Sequence, residues 1–334
     1  MREAVVYCVG VHLAITGSIA TDHLMTFPGK FADSLVPDQL DKISLSFLVE
    51  DLDVRRGGCA ANISFALAKL GHRSLLVGAV GRDFEAEYRG WLDDAGVDTS
   101  GVLVSETRHT ARFVCTTDTD LAQFATFYAG AMSESRDIDL LKLGNDFDLV
   151  LIGPDDPDGM LRHTRACRDN GIPFAADVSQ QLAWADGDVI RDLIDGAAYL
   201  FSNDYEAALI EQKTGWSTAD VRSHVGTQII TRGKSGVSVF PADRNPIEVG
   251  AIEGVVAVDP TGVGDSFRAG FLAGIAAGLD FERSAQIGCT IAASVVETKG
   301  TQEYALEREP FLKRFGVAYG DAARDEVDSA LRLA

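Results

Sequence analysis

The stretch DPTGVGDSFRAGF, residues 259–271, places three glycines, two aspartates and a proline beside an apolar, helix-like run. Gly262 and Gly264 permit backbone conformations that other residues avoid, and they allow a ligand to approach closely. The pattern predicts a tight turn followed by a helix that begins at Asp265. Amides at a helix start can hold a phosphate, and a carboxylate there can accept a proton from an alcohol. Taken alone, a glycine turn capped by an aspartate explains the stretch equally well.

Short aliphatic runs alternate with helix-period segments on either side of this stretch, and most runs end in Gly, Asp or Asn. Such runs are typical of parallel strands buried on both faces. The predicted strands are 13–17, 74–81, 149–153, 172–177, 199–203 and 228–233. The predicted helices are 60–70, 83–95, 157–170, 188–195, 205–215, 265–278, 281–298 and 307–332. This rhythm predicts an α/β fold with a doubly wound, mostly parallel sheet flanked by helices, which binds ligands at the carboxyl ends of its strands.

Two segments, 44–54 and 110–128, do not follow this rhythm because they contain alternating or β-branched residues with little helical periodicity. We expect them to form a small β-sheet lid, built from excursions at about 23–55 and 106–130. Strands at the exposed edges of such a lid can pair between subunits, so we expect a homodimer through the lid strands.

Composition disfavours several classes of function. The formal net charge of −20 repels a nucleic-acid backbone, so we expect no nucleic-acid polymer as a partner. No run approaches the ~20 uninterrupted apolar residues of a membrane span. The five cysteines are dispersed without a CxxC pair, which is typical of a reducing compartment, and we expect a cytoplasmic protein.

Two further motifs could bind a sugar. Gly57 and Gly58 precede a predicted helix that carries Asn62, whose amide can both donate and accept hydrogen bonds. Asp22 follows the first predicted strand, where a carboxylate can accept hydrogen bonds from two neighbouring hydroxyls. An ordinary helix start and a loop-capping aspartate are the structural alternatives, and the residues alone leave both open.

Together these motifs resemble a known family. GGCAAN (57–62) and DPTGVGDSFRAG (259–270) resemble the two signature regions of the ribokinase-like (PfkB) carbohydrate and nucleoside kinases, with Val263 where a smaller residue is usual. NDYE (203–206) resembles the family's NxxE element, and TRGKSG (231–236) resembles its nucleotide-binding TxGxxG turn. ITGSIATDHLMTFPGKF and ETKGTQE are similar to actinobacterial adenosine kinases. This alignment implies a kinase domain at 11–334 and an N-terminal extension at 1–10.

The resemblance implies an adenosine kinase that transfers the γ-phosphate of ATP to the 5′-hydroxyl of adenosine, giving AMP for purine salvage. Another nucleoside or sugar kinase of the family, such as an inosine–guanosine kinase or a ribokinase, is the alternative. A nucleoside-binding regulator on the same scaffold is less favoured, since it would not need Asp265 and the intact glycine turn.

Residue roles follow from the same resemblance. Asp265 would be the catalytic base, beside the amides of Gly262, Val263 and Gly264. The residues implied for the ribose are Ser18, Asp22, Gly58 and Asn62. The residues expected around the purine are Ser46, Phe113, Phe127, Gln180 and Gln181. The residues implied for ATP are Asn203, Thr231, Gly233, Gly236 and Gly264. Asn203 and Glu206 would position Mg²⁺ through water, and family membership implies K⁺ as an activator without indicating its ligands.

Overall fold

A computed structural model describes residues 11–35, 44–144 and 146–333, so the predicted extension at 1–10 lies outside the described residues. The strands are β1 (Leu13–Thr16), β2 (Ala20–Thr26), β3 (Asp51–Gly57), β4 (Ser74–Val80), β5 (Asp98–Val104), β6 (Ala111–Thr117), β7 (Gln123–Tyr128), β8 (Leu149–Ile152), β9 (Phe174–Asp177), β10 (Tyr199–Asn203), β11 (Thr227–Thr231), β12 (Val237–Pro241) and β13 (Ile247–Val249). The helices are α1 (Phe31–Ser34), α2 (Cys59–Lys69), α3 (Asp83–Glu87), α4 (Arg89–Ala95), α5 (Leu140–Leu143), α6 (Pro157–Asp169), α7 (Gly187–Ile194), α8 (Asp204–Thr214), α9 (Thr218–His224), α10 (Val263–Ala276), α11 (Phe281–Val296), α12 (Arg308–Tyr319) and α13 (Asp321–Ala330).

The large sheet has nine strands in the order β13-β12-β11-β10-β9-β8-β1-β4-β5. Its strands are parallel except at β12, which pairs antiparallel with both neighbours. Alternate residues of β1 enter two different cores: Leu13 and Ile15 face one, and Ala14 faces the other. Strands β4 and β8 pair with β1 on its two sides, so the order of the strands reverses at β1. A crevice for ligands is expected at the carboxyl end of this strand.

The smaller sheet has four strands in the order β3-β2-β6-β7. β2 continues from β1 after only three residues, so this sheet is attached directly to the carboxyl end of the central strand. β2 runs parallel to β6 and antiparallel to β3. The fold predicted from the sequence, a doubly wound sheet with helices and a small second sheet, is thereby confirmed.

Several element boundaries differ from the prediction. Segment 44–54 was expected to be a strand, but β3 begins only at Asp51. Ahead of β3, Phe47 packs against Phe31 with ring centroids 4.8 Å apart, so aromatic burial and not strand pairing explains the alternation there. The helix predicted at 307–332 is two helices, since Gly320 has a φ of 94° between them. Strands β2, β5, β12 and β13 and helix α9 were missed.

Helices α10 and α11 pack unusually closely, because each has a glycine at the contact. A Cβ atom built on Gly270 would lie 2.6 Å from the Cα of Gly288, and one built on Gly288 would lie 2.7 Å from the ring of Phe267. Close-packed interiors leave no room for such an atom without a backbone shift. This contact fixes the depth at which α10 sits against the sheet.

None of the described helices is long and apolar enough to cross a membrane.

We predict that Gly270→Ala lowers the free energy of unfolding by about 1–3 kcal/mol, because the added methyl group overpacks the helix contact. Chemical denaturation measures the change. Gly90→Ala is the matched control, since a Cβ there meets nothing within 4 Å. In helix α4 that control should be neutral or stabilising by up to about 1 kcal/mol. Equal stabilities of the two variants would contradict the packing argument.

Candidate active site

A cleft of about 750 Å³ lies at the carboxyl end of β1, between the small sheet and the start of α10. Most of the site residues predicted from the sequence line this cleft, although they come from distant parts of the chain. The predicted residues that line it are Ser18, Asp22, Gly58, Asn62, Phe113, Phe127, Gln180, Gln181, Glu206, Gly262, Gly264 and Asp265. The arrangement is that of a single site, with carboxylates and glycine turns at one end and aromatic rings at the other.

Six predicted residues do not line this cleft: Ser46, Asn203, Thr231, Gly233, Gly236 and Val263. Ser46 is exposed in the segment before β3. Thr231 ends β11, and Gly233 belongs to the turn that follows it. Gly236 has a structural reason to be glycine, since it has a φ of 91° and a Cβ there would lie 2.0 Å from the carbonyl oxygen of Val249.

Helix α10 begins without a side-chain cap. Gly262 precedes it with a φ of 75°, and a Cβ atom there would lie 2.9 Å from Thr301. The carboxylate of Asp259 holds the turn in place, because it accepts hydrogen bonds from the amides of Thr261 at 2.9 Å and Gly300 at 3.0 Å. The first amides of an uncapped helix keep their hydrogen-bonding capacity and carry the positive end of the helix dipole. This turn can therefore bind an anionic group.

Asp265 lies in the first turn of α10, at the bottom of the cleft. Its Oδ2 accepts a hydrogen bond of 2.9 Å from the Asn62 amide. Burial raises the pKa of Asp265 to about 6, against the opposing effects of the Arg268 charge and the Asn62 hydrogen bond. A carboxylate with this pKa is ionised at neutral pH and is a stronger base than a solvated aspartate.

Arg268, one helical turn beyond Asp265, forms a buried ion pair with Asp177 at the end of β9. Its Nε lies 2.5 Å from Asp177 Oδ2, and the two side chains are 7% and 1% exposed. The guanidinium also lies over Gly264, where a Cβ atom would be only 2.8 Å from Nη1. The sequence left open whether Arg268 pairs with an acid or approaches a phosphate. The structure shows the acid pair, with the positive charge directly behind the start of the helix.

The end of the cleft that is predicted to bind a sugar is formed around Ser18 and Gly58. Gly58 has a φ of 94°, and a Cβ there would lie 2.6 Å from the Ser18 carbonyl oxygen, so only glycine fits. Ser18 Oγ accepts a hydrogen bond of 3.0 Å from the amide of Cys59, which satisfies the start of α2. Beside them, burial and then the Asp259 charge raise the pKa of Asp22 to about 6.

The opposite end of the cleft is aromatic. Phe113 and Phe127 are direct cross-strand partners in β6 and β7, so their rings lie on one face of the small sheet. The Nε2 of Gln181 donates a hydrogen bond of 2.7 Å to the carbonyl oxygen of Asp155. Trp184 also lines the cleft and is 85% exposed, a contribution that the sequence analysis missed.

Asn203 and Glu206 form a capping box at the start of α8. Asn203 Oδ1 accepts from the amide of Glu206, and Glu206 Oε2 accepts from the amide of Asn203, both at 2.8 Å. Burial raises the pKa of Glu206. Among the described residues there is no group of three or more His, Cys, Asp or Glu side chains that could hold a metal ion. Of the two residues predicted to position Mg²⁺, Asn203 and Glu206, only Glu206 lines the cleft within the described chain.

Comparison with known proteins agrees with this arrangement. Residues 25–308 match the pfkB family of carbohydrate kinases. The chain belongs to this family. A nucleoside kinase from Methanocaldococcus jannaschii is 30% identical over 247 residues, which are 74% of this chain and 80% of that protein.

Solved structures of the family have the same fold. A nucleoside kinase from Burkholderia thailandensis in complex with inosine has a TM-score of 0.81 and 36% identity, covering 92% of this chain and 98% of that one. The structure of the M. jannaschii nucleoside kinase has a TM-score of 0.82 and 26% identity, covering 92% and 99%. Both are similar to this chain over almost their entire length.

We predict that Asp265→Asn stabilises the protein without ligands at pH 8 by about 1–3 kcal/mol, since a shift of one pKa unit corresponds to about 1.4 kcal/mol. The folded-state pKa of about 6 lies above 3.8, the ordinary pKa of an aspartate, so the folded protein must ionise a buried group as pH rises. The advantage of the variant should therefore shrink as pH falls from 6 to 4. Urea unfolding at pH 4, 6 and 8 measures it, and a difference that does not depend on pH would contradict the assignment.

Proposed function

We propose that this chain is an ATP-dependent adenosine kinase that phosphorylates the 5′-hydroxyl of adenosine and gives AMP. The observation that carries the proposal is the position of Asp265, a carboxylate of raised pKa in the first turn of an uncapped helix, on the wall of a cleft that is also lined by Asp22, Asn62 and aromatic rings. Phosphoryl transfer needs a positioned base and a site for developing negative charge, and both are present within one helical turn.

In this proposal Asp265 accepts the proton of the 5′-hydroxyl as the hydroxyl oxygen attacks the γ-phosphorus. The amides of Gly262, Val263 and Gly264 would bind the transferring group, although the Val263 amide must then give up its long 3.4 Å contact with the Pro260 carbonyl oxygen. The buried positive charge of Arg268 lies next to Gly264. Fixed dipoles and a fixed charge of this kind stabilise a transition state without having to reorient during the reaction. No covalent enzyme intermediate is required.

Magnesium fits the residues present, although the described part of the chain contains no cluster of three or more His, Cys, Asp or Glu side chains to hold it. Mg²⁺ usually keeps several waters and binds through one or two carboxylates and the substrate phosphates. Glu206 supplies one such carboxylate on the cleft wall, with Asn203 fixed beside it by the capping box. When bound, the ion would neutralise phosphate charge. We place ATP along Thr231, Gly233 and Gly236, next to α10, and expect K⁺ activation from the family alone.

The aromatic end of the cleft favours a nucleoside over a free sugar. Phe113 and Phe127 present rings on which a purine can stack, a contact worth about 1–3 kcal/mol per base. A glutamine amide such as that of Gln180 can donate and accept along the edge of adenine. An inosine–guanosine kinase is the second candidate, because a B. thailandensis relative was solved with inosine and an amide can also pair with hypoxanthine.

We also propose a cytoplasmic role in purine salvage and a homodimer formed through the small sheet. All residues of β7 are exposed, and β7 lies at the edge of that sheet, where its backbone can pair with a second subunit. Sedimentation of the purified protein tests the dimer independently of catalysis.

We predict that Asp265→Asn lowers kcat by about three orders of magnitude, because the variant loses the general base but keeps the shape of the site. For the unchanged protein, kcat/KM should fall below about pH 6 as Asp265 becomes protonated. A coupled ADP-release assay measures both. Near-normal turnover in Asp265→Asn would refute the proposed function, whereas retained nucleoside binding by calorimetry shows that the variant is folded.

We predict that adenosine has a kcat/KM at least about tenfold above that of inosine, guanosine, cytidine, ribose and fructose. Phe127→Ala should raise the KM for the nucleoside about tenfold through lost stacking and leave the KM for ATP unchanged. Phe124→Ala, at an exposed position of the same strand that does not line the cleft, is the control. A preference for inosine or guanosine would replace adenosine by the second candidate, and a preference for ribose would reject nucleosides.

A further inference from the structure

A series of three hydrogen bonds connects Trp91 to Asp265. Trp91 Nε1 donates to Gln302 Oε1 at 3.0 Å, and Gln302 Nε2 donates to Asn62 Oδ1 at 2.9 Å. Asn62 Nδ2 then donates to Asp265 Oδ2 at 2.9 Å. Gln302 is 1% exposed and Asn62 is 6% exposed, so the bond between these two amides is shielded from water. Gln302 does not line the cleft, and among the described residues the hydrogen bonds that connect it to Asp265 pass through Asn62.

Trp91, at the outer end of this series, determines the direction of every hydrogen bond in it. An indole N–H can only donate, so the oxygen of the Gln302 amide must face Trp91. The NH₂ group of Gln302 consequently faces inward, where it donates both to Asn62 Oδ1 and to the hydroxyl oxygen of Tyr88. The Tyr88 hydroxyl in turn donates to the Gly57 carbonyl oxygen at 3.1 Å. Both amide hydrogens of Gln302 are therefore used.

The orientation of Asn62 follows from these bonds. With Oδ1 held by Gln302, its NH₂ group must point at the carboxylate of Asp265. The reverse orientation would put two acceptors, Oδ1 and the Asp265 carboxylate, against each other, and two NH₂ groups against each other at Gln302. Leaving buried donors and acceptors unpaired costs about 1–3 kcal/mol per group, and more for a charged group.

We propose that Gln302 is a positioning residue for the phosphoryl-transfer reaction, which holds the Asn62 amide so that its N–H fixes one oxygen of Asp265 and leaves the other oxygen to the substrate hydroxyl. This inference rests on the proposed role of Asp265 as the base. It also bears on the role of Asn62: the bond from Gln302 uses one lone pair of Oδ1 and one amide hydrogen is donated to Asp265, so the second amide hydrogen is the donor that Asn62 can offer a sugar.

The charged and titratable groups around Asp265 come from three elements. Arg268 lies on α10, the same helix as Asp265. Cys59 lies on α2, and Asp177 lies at the end of β9. A hydrogen bond donated to a carboxylate favours the ionised form, so the bond from Asn62 lowers the pKa of Asp265. Loss of the Gln302 anchor should therefore weaken this bond and move the acidic limb of the rate profile to higher pH.

The test compares Gln302→Leu and Gln302→Glu in the full chain. Gln302→Leu removes the anchor, and we expect kcat to fall roughly tenfold, as for one hydrogen bond to a charged group, with the KM for ATP unchanged. We expect the acidic limb of kcat/KM to rise by about 0.5–1 pH unit. Gln302→Glu keeps an acceptor for Trp91 but cannot donate to Asn62, so Asn62 must turn its oxygen toward Asp265. Its kcat should fall further, roughly a hundredfold.

Gln286→Leu is the matched control, since Gln286 is a buried glutamine of α11 whose partners, Glu282 and Arg283, lie outside the cleft. It should leave kcat and the acidic limb unchanged. If Gln302→Leu does not fold, Trp91→Phe carries the test, because it removes the outer donor and keeps an aromatic ring beside Phe65 in a side chain that is 38% exposed. A two- to fivefold loss of kcat with the same shift of the limb would support the proposal.

Wild-type kcat and an unmoved acidic limb in Gln302→Leu and Gln302→Glu, or in Trp91→Phe where it replaces them, overturn the positioning role. A fall in kcat with an unmoved limb also overturns it, because a purely structural defect would give that result. The Asp265→Asn variant separates a failure of the proposed function from a failure of the inference about Gln302. If that variant is inactive while the Gln302 variants are normal, the proposed function stands and this inference fails; if it stays active, the base itself is wrongly assigned.

Discussion

The hydrogen bond between Asn62 and Asp265 joins the first turns of two helices, α2 and α10, that begin at the same edge of the sheet. Two helix starts directed at one cleft place two positive dipole ends close together. The start of α2 is satisfied by Ser18, which accepts from the amides of both Cys59 and Ala60. The start of α10 has no such cap, so it is the part of the cleft where an anion gains most.

Around this bond the cleft contains acids that are costly to ionise. Burial raises the pKa of Asp22 to about 6, of Asp155 to about 7 and of Asp265 to about 6. Groups of this kind lower the stability of the ligand-free fold at neutral pH, because the unfolded chain ionises them freely. Selection for stability alone would remove them. Carboxyl groups with raised pKa values in one cleft are typical of functional sites.

The sequence predicted the fold and most of the cleft because both depend on local patterns. Parallel strands put their carboxyl ends on one edge, so Ser18 after β1 and Glu206 after β10 could be expected there, and Gly58 and Gly262 need backbone angles that only glycine accepts easily. Gln302 could not be found in this way. It is separated from Asn62 by 240 residues, and only the packing of α2 against the loop after α11 brings them together. The partner of Arg268 was unknown for the same reason.

The hydrogen-bond directions also distinguish two roles at the proposed sugar end. Two neighbouring ribose hydroxyls can donate both of their hydrogens to one carboxylate, and Asp22 supplies such an acceptor. Asn62 has a second amide hydrogen that is not donated to Asp265, so it can complement the hydroxyl lone pairs that Asp22 leaves unused. A sugar hydroxyl bound between them is then oriented as donor to one and acceptor from the other. The same amide fixes Asp265, so sugar orientation and base orientation depend on a single side chain.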